Sequence, residues 1–156
     1  MFSMDETDLQ ILSLIKEDAR VSMKRLAEKT FLSSTAVAAR IEKLEKEGVI
    51  DGYHTRIRPQ AFGLDIKAFI HLEVEPIQKS EFYPFIRSCP NVVQCSCVTG
   101  EYSMLVEVLF TSTTELDRFI GELQRFGKTK TQIVFSTPVE HRDVILSQGE
   151  KSSKNR

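Results

Sequence analysis

Two short runs of this chain carry groups whose types and spacing could bind a ligand. The first is Leu32-Ser33-Ser34-Thr35, three successive hydroxyls opening into Ala36-Val37-Ala38-Ala39-Arg40-Ile41-Glu42-Lys43-Leu44, where apolar residues recur at helical intervals. Hydroxyls and unpaired amides at a helix start suit phosphate oxygens, and Arg40 and Lys43, three apart, share one side of such a helix. Ser34, Ala38 and Ala39 offer small edges in place of long bidentate donors. Base reading would therefore lean on apolar contact with thymine methyls and on duplex shape. Ser33, Ser34, Thr35, Ala38, Ala39, Arg40 and Lys43 are the candidate DNA-binding residues of this helix. Arg40 has an alternative use, pairing with Glu17 or another surface acid. Glu42, Glu45 and Glu47 are expected on the side away from the phosphates. Arg56 joins the candidates from the next segment, where it and Arg58 could hold an adjacent phosphate or simply solubilise a hinge.

The second run is Thr99-Gly100-Glu101-Tyr102-Ser103. Gly100 permits a connection that other residues resist, and exposed amides together with Glu101 could hold the carboxylate and the amine of a small zwitterion. The alternative is a plain hairpin turn.

Other chemistry has little to build on. The chain has no glycine-rich phosphate loop, no His-Glu metal signature and no nucleophile elbow, so neither an enzyme nor a cofactor is expected. Glu73 and Glu75 share a strand face but sit at its end with no evident pocket. His54, His71 and His141 are too scattered for a four-ligand metal site. Three cysteines, Cys89, Cys95 and Cys97, are too few and odd in number for a disulfide framework and read as core or interface thiols.

The elements that must position these runs divide into two halves. From Asp5 to Glu47 the spacing is helical: Leu9, Ile11, Leu12 and Ile15 stripe a first helix, residues 23–29 form a second, and a turn at residues 30–33 leads to a third over 34–47. Asp5 or Thr7 is available to cap the first, and Ser22 to cap the second. After Gly48, residues 49–59 read as a turn and a short strand pair, a small wing. Near Gly63 the period changes. Strands are expected at 67–75, 92–99, 103–110 and 131–136, with helices at 79–88 and after Thr111-Ser112-Thr113-Thr114. That order, strand-helix-strand-strand-helix-strand, is the split βαβ arrangement, four antiparallel strands with two helices on one face. The other face, carrying Phe69 or Cys95 and Cys97 according to register, is expected to pair with a second copy.

Composition sets limits on function. A net charge of −1 over 156 residues excludes a protein that coats nucleic acid by bulk positive charge, and residues 1–60 balance ten basic against ten acidic side chains. Binding must then rest on local geometry and on more than one head. With 41% apolar and 28% charged residues the chain has the makings of a soluble fold. No apolar run reaches the roughly 18 residues of a membrane span, and acids stand where a signal peptide needs a basic region, so cytoplasmic residence without a membrane partner is the expectation.

Taken in order, Asp8 with Ile11-Leu12, Asp18-Ala19-Arg20, Leu26-Ala27, Leu32-Ser33 with Val37, Arg40-Ile41 with Leu44-Glu45, Gly48-Val49-Ile50-Asp51-Gly52-Tyr53 and Val98-Thr99-Gly100 resemble the feast/famine (Lrp/AsnC) transcriptional regulators. The resemblance implies an α+β chain: a winged helix-turn-helix DNA-binding domain at 1–53, a wing strand and linker at 54–65, a ferredoxin-like βαββαβ ligand-sensing and oligomerisation domain at 66–145, and a flexible tail at 146–156. It further implies dimers that assemble to octamers, double-stranded DNA as partner, and an amino acid effector held near Gly100. Three positions depart from the family pattern. Phe31 stands where the turn usually has glycine, Ala39 where a basic residue is frequent, and Ser103 where aspartate usually follows Gly100. The runner-up reading is a small-molecule-sensing or architectural oligomer whose heads bind DNA weakly or bind protein.

Overall fold

Asp5 starts the first helix by a reciprocal cap. Its carboxylate accepts from the Asp8 amide at 2.8 Å, and the Asp8 carboxylate accepts in turn from the Asp5 amide at 3.1 Å, fixing α1 as Glu6–Glu17. The computed structural model describes residues 3–141. They fall into two compact units, the first running to Thr55 and the second spanning Arg56–Glu140. The tail expected at 146–156 lies outside the described residues.

In the first unit Ser22 caps α2, Met23–Thr30, by accepting from the Arg25 amide at 3.2 Å. The Thr30 hydroxyl, buried, turns back to donate to the Leu26 carbonyl at 2.8 Å. Phe31 then reverses the chain in the left-handed region, at φ 57° and ψ 32°. For a bulky side chain that conformation costs roughly 1–3 kcal/mol. Ser33 caps α3, Ser34–Lys46. Ile11, Leu26, Val37 and Ile41 form the core of this head, and Leu12 and Leu44 are also buried.

The strand pair expected at 49–59 is not formed. Gly48 takes φ 70°, and the Val49 and Ile50 amides both donate to the Leu44 carbonyl, at 2.9 and 3.2 Å. The residues that would begin the wing are thus spent finishing α3, and residues 51–58 are exposed and without regular structure. Tyr53 braces the same corner by donating its hydroxyl to Glu45 at 2.8 Å. A short 3-10 turn, Pro59–Phe62, follows.

The second unit contains β1 (Ile66–Leu72), α4 (Lys79–Ser88), β2 (Val92–Cys97), β3 (Met104–Phe110), α5 (Thr113–Leu123) and β4 (Thr129–Ile133). The strands lie in the order β2-β3-β1-β4, every pair antiparallel, as the split βαβ arrangement requires. β4 begins earlier than the expected 131–136 because β1 runs on to Leu72, opposite Thr129, and it ends at Ile133, opposite Ala68. Ala68, Ile70 and Leu72 stand opposite Val108, Val106 and Met104 on one face, where Phe82, Ile86, Leu116, Phe119 and Leu123 cover them. The Phe82 and Phe126 rings meet edge-on at 5.4 Å.

Register settles which side chains the other face carries. Phe69 stands opposite Glu107, His71 opposite Leu105, and Lys67 reaches Glu107 at 2.7 Å. Cys95 and Cys97 do not belong there. They pair with Val106 and Met104, on the helix-covered face, and a register shift between Val92 and Gln94 puts them there. Burial raises the Cys95 thiol pKa above its ordinary value.

Candidate functional site

The third helix separates its two jobs by face. Val37, Ile41 and Leu44 are buried, whereas Ser33, Ser34, Thr35, Ala38, Ala39 and Lys43 are exposed. Ser33 uses its Oγ to accept from the Ala36 amide at 3.1 Å, and the hydroxyl remains able to donate. The helical period carries Ser34, Thr35, Ala38 and Ala39 along one outward strip. Glu42 is exposed one turn beyond Ala38 and Ala39 on that strip, so it does not face away as expected. Glu45 does turn aside, to Tyr53, whose pKa is pushed up to about 12, first by the partial desolvation of its hydroxyl and then by that carboxylate.

Arg40 is differently employed. Its Nη1 donates to Asp5 at 2.7 Å and to Asp8 at 2.6 Å, so its acid partners are the two members of the α1 cap, not Glu17. The Asp5 carboxyl is held below its ordinary pKa by the Asp8 amide first and by Arg40 second. The Arg40 pKa is raised by Asp5 and then Asp8. This clasp fastens the start of α1 to the middle of α3. Sequence spacing singles out no acid at such separations, and these two lie 35 and 32 residues away in the chain.

Cationic residues that the sequence reading passed over lie on α2. Lys24, Arg25 and Lys29 are exposed, with Glu28 the one acid of that helix. Their signal was available as a helix with net positive charge in a neutral head. Arg56 belongs to the second unit, where its Nη2 donates to Glu140 at 3.0 Å.

The loop between β2 and β3 contains the second candidate set. Gly100 adopts φ 116°, and the amides of residues 99–102 donate to no acceptor among the described residues. Glu101 lies 3.4 Å from the Lys128 ammonium, which also stands 5.9 Å from the centre of the Tyr102 ring. Tyr102 in turn meets the His71 ring at 5.6 Å. Ser103 turns inward, away from any loop ligand: its Oγ accepts from the Val74 amide at 2.8 Å and donates to the Val74 carbonyl at 3.1 Å. Its hydroxyl anchors the end of β1. Lys128 is brought close by Gly127, where a β-carbon would lie 1.8 Å from the Glu73 carbonyl oxygen.

Among the described residues, no group of three or more His, Cys, Asp or Glu is placed to hold a metal ion, and no helix is long and apolar enough to cross a membrane.

Comparison with known proteins agrees with this layout. A winged helix-turn-helix DNA-binding model matches residues 4–51, and an Lrp/AsnC ligand-binding-domain model matches residues 67–144. The uncharacterized helix-turn-helix regulator YezC of Bacillus subtilis is 36% identical, over 88% of this chain and 98% of its own length. The regulator LrpA of the same organism is 33% identical, over 83% and 96%. The solved structure of Bacillus subtilis LrpC superposes with a TM-score of 0.83 at 26% identity, covering 90% of this chain and 100% of LrpC. A transcriptional regulator of Neisseria meningitidis, solved as its L-Met complex, shares the fold with a TM-score of 0.86 at 23% identity, over 92% and 97%. With both units matched in order and full-length relatives aligned across them, the chain belongs to the Lrp/AsnC family of helix-turn-helix transcriptional regulators.

Proposed function

We propose that this regulator acts in the cytoplasm as a dimer or higher assembly, its paired heads reading a pseudo-palindromic site on double-stranded DNA while the sheet unit sets their spacing. The observation that carries the reading is the two-faced α3, whose core is complete without any of its outward residues. Ser33, Ser34 and Thr35 approach phosphate at the helix start, Ala38 and Ala39 meet thymine methyls, and Lys43 meets the flanking backbone. Lys24 and Arg25 at the start of α2 add phosphate contacts, as the first helix of such a motif crosses the backbone. Arg40 positions α3 and touches no phosphate. Arg56 holds Glu140 in the second unit.

Self-association uses the uncovered sheet face around Phe69, Leu105 and Leu109. Further assembly toward an octamer responds to an amino acid effector, whose carboxylate meets the amides of residues 99–102 and whose amine meets Glu101. Tyr102 flanks the site, and Ser103 shapes it from behind. An effector works here by binding one assembly state better than another.

Salt-titrated binding to genomic fragments tests the reading. Retention of particular fragments near physiological salt supports it, whereas retention no better than random DNA overturns it and leaves a small-molecule-sensing or architectural oligomer. Repeating the selection and sedimentation with a panel of amino acids tests the effector. A panel that alters neither assembly nor fragment choice removes the sensing half of the proposal.

A further inference from the structure

Among the described residues, Phe31 alone combines a side chain with positive φ, and its ring is 95% exposed. A β-carbon in that region crowds the neighbouring carbonyl, and glycine would hold the same turn without the conflict. The turn closes α2, the Phe31 and Leu32 amides both donating to the Ala27 carbonyl, but the ring itself adds nothing to that closure. No hydrogen bond, ion pair or ring contact to a described residue involves this side chain. The two neighbours that might have joined it in an apolar patch, Thr30 and Leu32, both pack inward. The ring therefore stands alone, burdening the fold it belongs to.

Its surroundings identify what meets it. Two residues on is Ser33, the cap of α3, followed by exposed Ser34 and Thr35; behind it α2 presents Lys24, Arg25 and Lys29. A protein partner that buried this ring would want an apolar rim, whereas the chain neighbours Thr30 and Leu32 pack inward and Ser33, Ser34 and Thr35 are exposed. A solitary aromatic among hydroxyls and cations fits a polyanion with apolar surface between its charges, which is what the sugars and thymine methyls of duplex DNA provide.

We propose that Phe31 is a DNA-contact residue whose ring packs on a deoxyribose or thymine methyl beside the phosphates approached by the start of α3. The inference rests on the DNA-reading function proposed above. The strain held in the turn is then balanced on the DNA.

The test uses the full chain and its Phe31→Gly and Phe31→Asn variants with a fragment selectively retained by the unaltered protein. Asparagine tolerates the left-handed region and separates loss of the ring from added chain flexibility. Phe31→Gly is expected to melt about 5 °C higher, through relief of strain. Both variants are expected to bind about tenfold more weakly. The salt slope should not change, because an apolar ring displaces no counterion. Equal affinity in all three proteins overturns the assignment and leaves the DNA-reading function standing. Altered sedimentation without DNA, at unchanged DNA affinity, gives the ring to self-association and also overturns it. If the unaltered chain retains no fragment above random DNA, the functional reading fails and this inference falls with it.

Discussion

Six buried apolar side chains, Ile11, Leu12, Leu26, Val37, Ile41 and Leu44, hold the helical head, while fourteen buried residues, five of them phenylalanines or methionine, hold the sheet unit. The head makes up part of the difference with charge, through the Asp5-Arg40-Asp8 clasp. Small cores bury a smaller share of their chain and sit closer to unfolding, so each remaining contact matters more. The helix-turn-helix unit is thus the brittle one, and the sheet unit has stability to spare.

Equal cuts in the two cores put this contrast at risk most directly. Leu44→Ala and Leu72→Ala each remove the same atoms from a fully buried site, at about 3 kcal/mol. Hydrogen exchange resolved by segment should show α1 to α3 losing protection together in the first variant, and the sheet keeping most of its protection in the second. Equal collapse in both would refute the contrast. Arg40→Ala is next in size: it should lower the melting of the head by about 5 °C, with no change in the sheet unit. The salt slope of DNA binding should hold, because Arg40 is taken to be a positioning residue; a slope lower by about 1 would restore it to phosphate.

These two cases mark what could be read from the chain and what could not. Ser33 as a cap, Val37, Ile41 and Leu44 as a buried stripe, and the strand-helix order of the sheet unit are local patterns, repeated every two or every three to four residues. The partners of Arg40 are not local, since they depend on where α1 comes to rest against α3. The side taken by Cys95 and Cys97 turned on a register shift between Val92 and Gln94, and a slip of one residue exchanges the faces of a strand. The strand pair expected at 49–59 failed to form for a related reason. Val49 and Ile50 have strand-forming side chains, but their amides reached the Leu44 carbonyl first. Ser103 belonged to the right loop, and only its hydrogen bonds to Val74 show that it faces the sheet.

Acid sharpens the contrast on a smaller scale. The Asp5 carboxyl has a lower pKa in the fold than its ordinary 3.8, so its contribution is present above that value and is lost as pH falls through the folded pKa. Chemical denaturation below pH 3.8 should show the head weakening, and Asp5→Asn should flatten that dependence while keeping a cap acceptor. At the alkaline end the sign reverses. Tyr53 keeps its proton in the fold up to about 12, so the help it gives is complete below 10.0 and fades as pH rises toward the folded value. Tyrosinate absorbance should follow that late ionisation, and Tyr53→Phe should remove it from the titration curve.

The division of α3 into two faces also bears on how such a protein can be given a new target. Folding draws on Val37, Arg40, Ile41 and Leu44, and none of these stands on the outward strip with Ser34, Thr35, Ala38 and Ala39. The vocabulary of the helix can therefore be rewritten at those four positions while its grammar stays in place. Long side chains for two alanines would give the strip proposed to read shape the donors that name bases, with the same head beneath it.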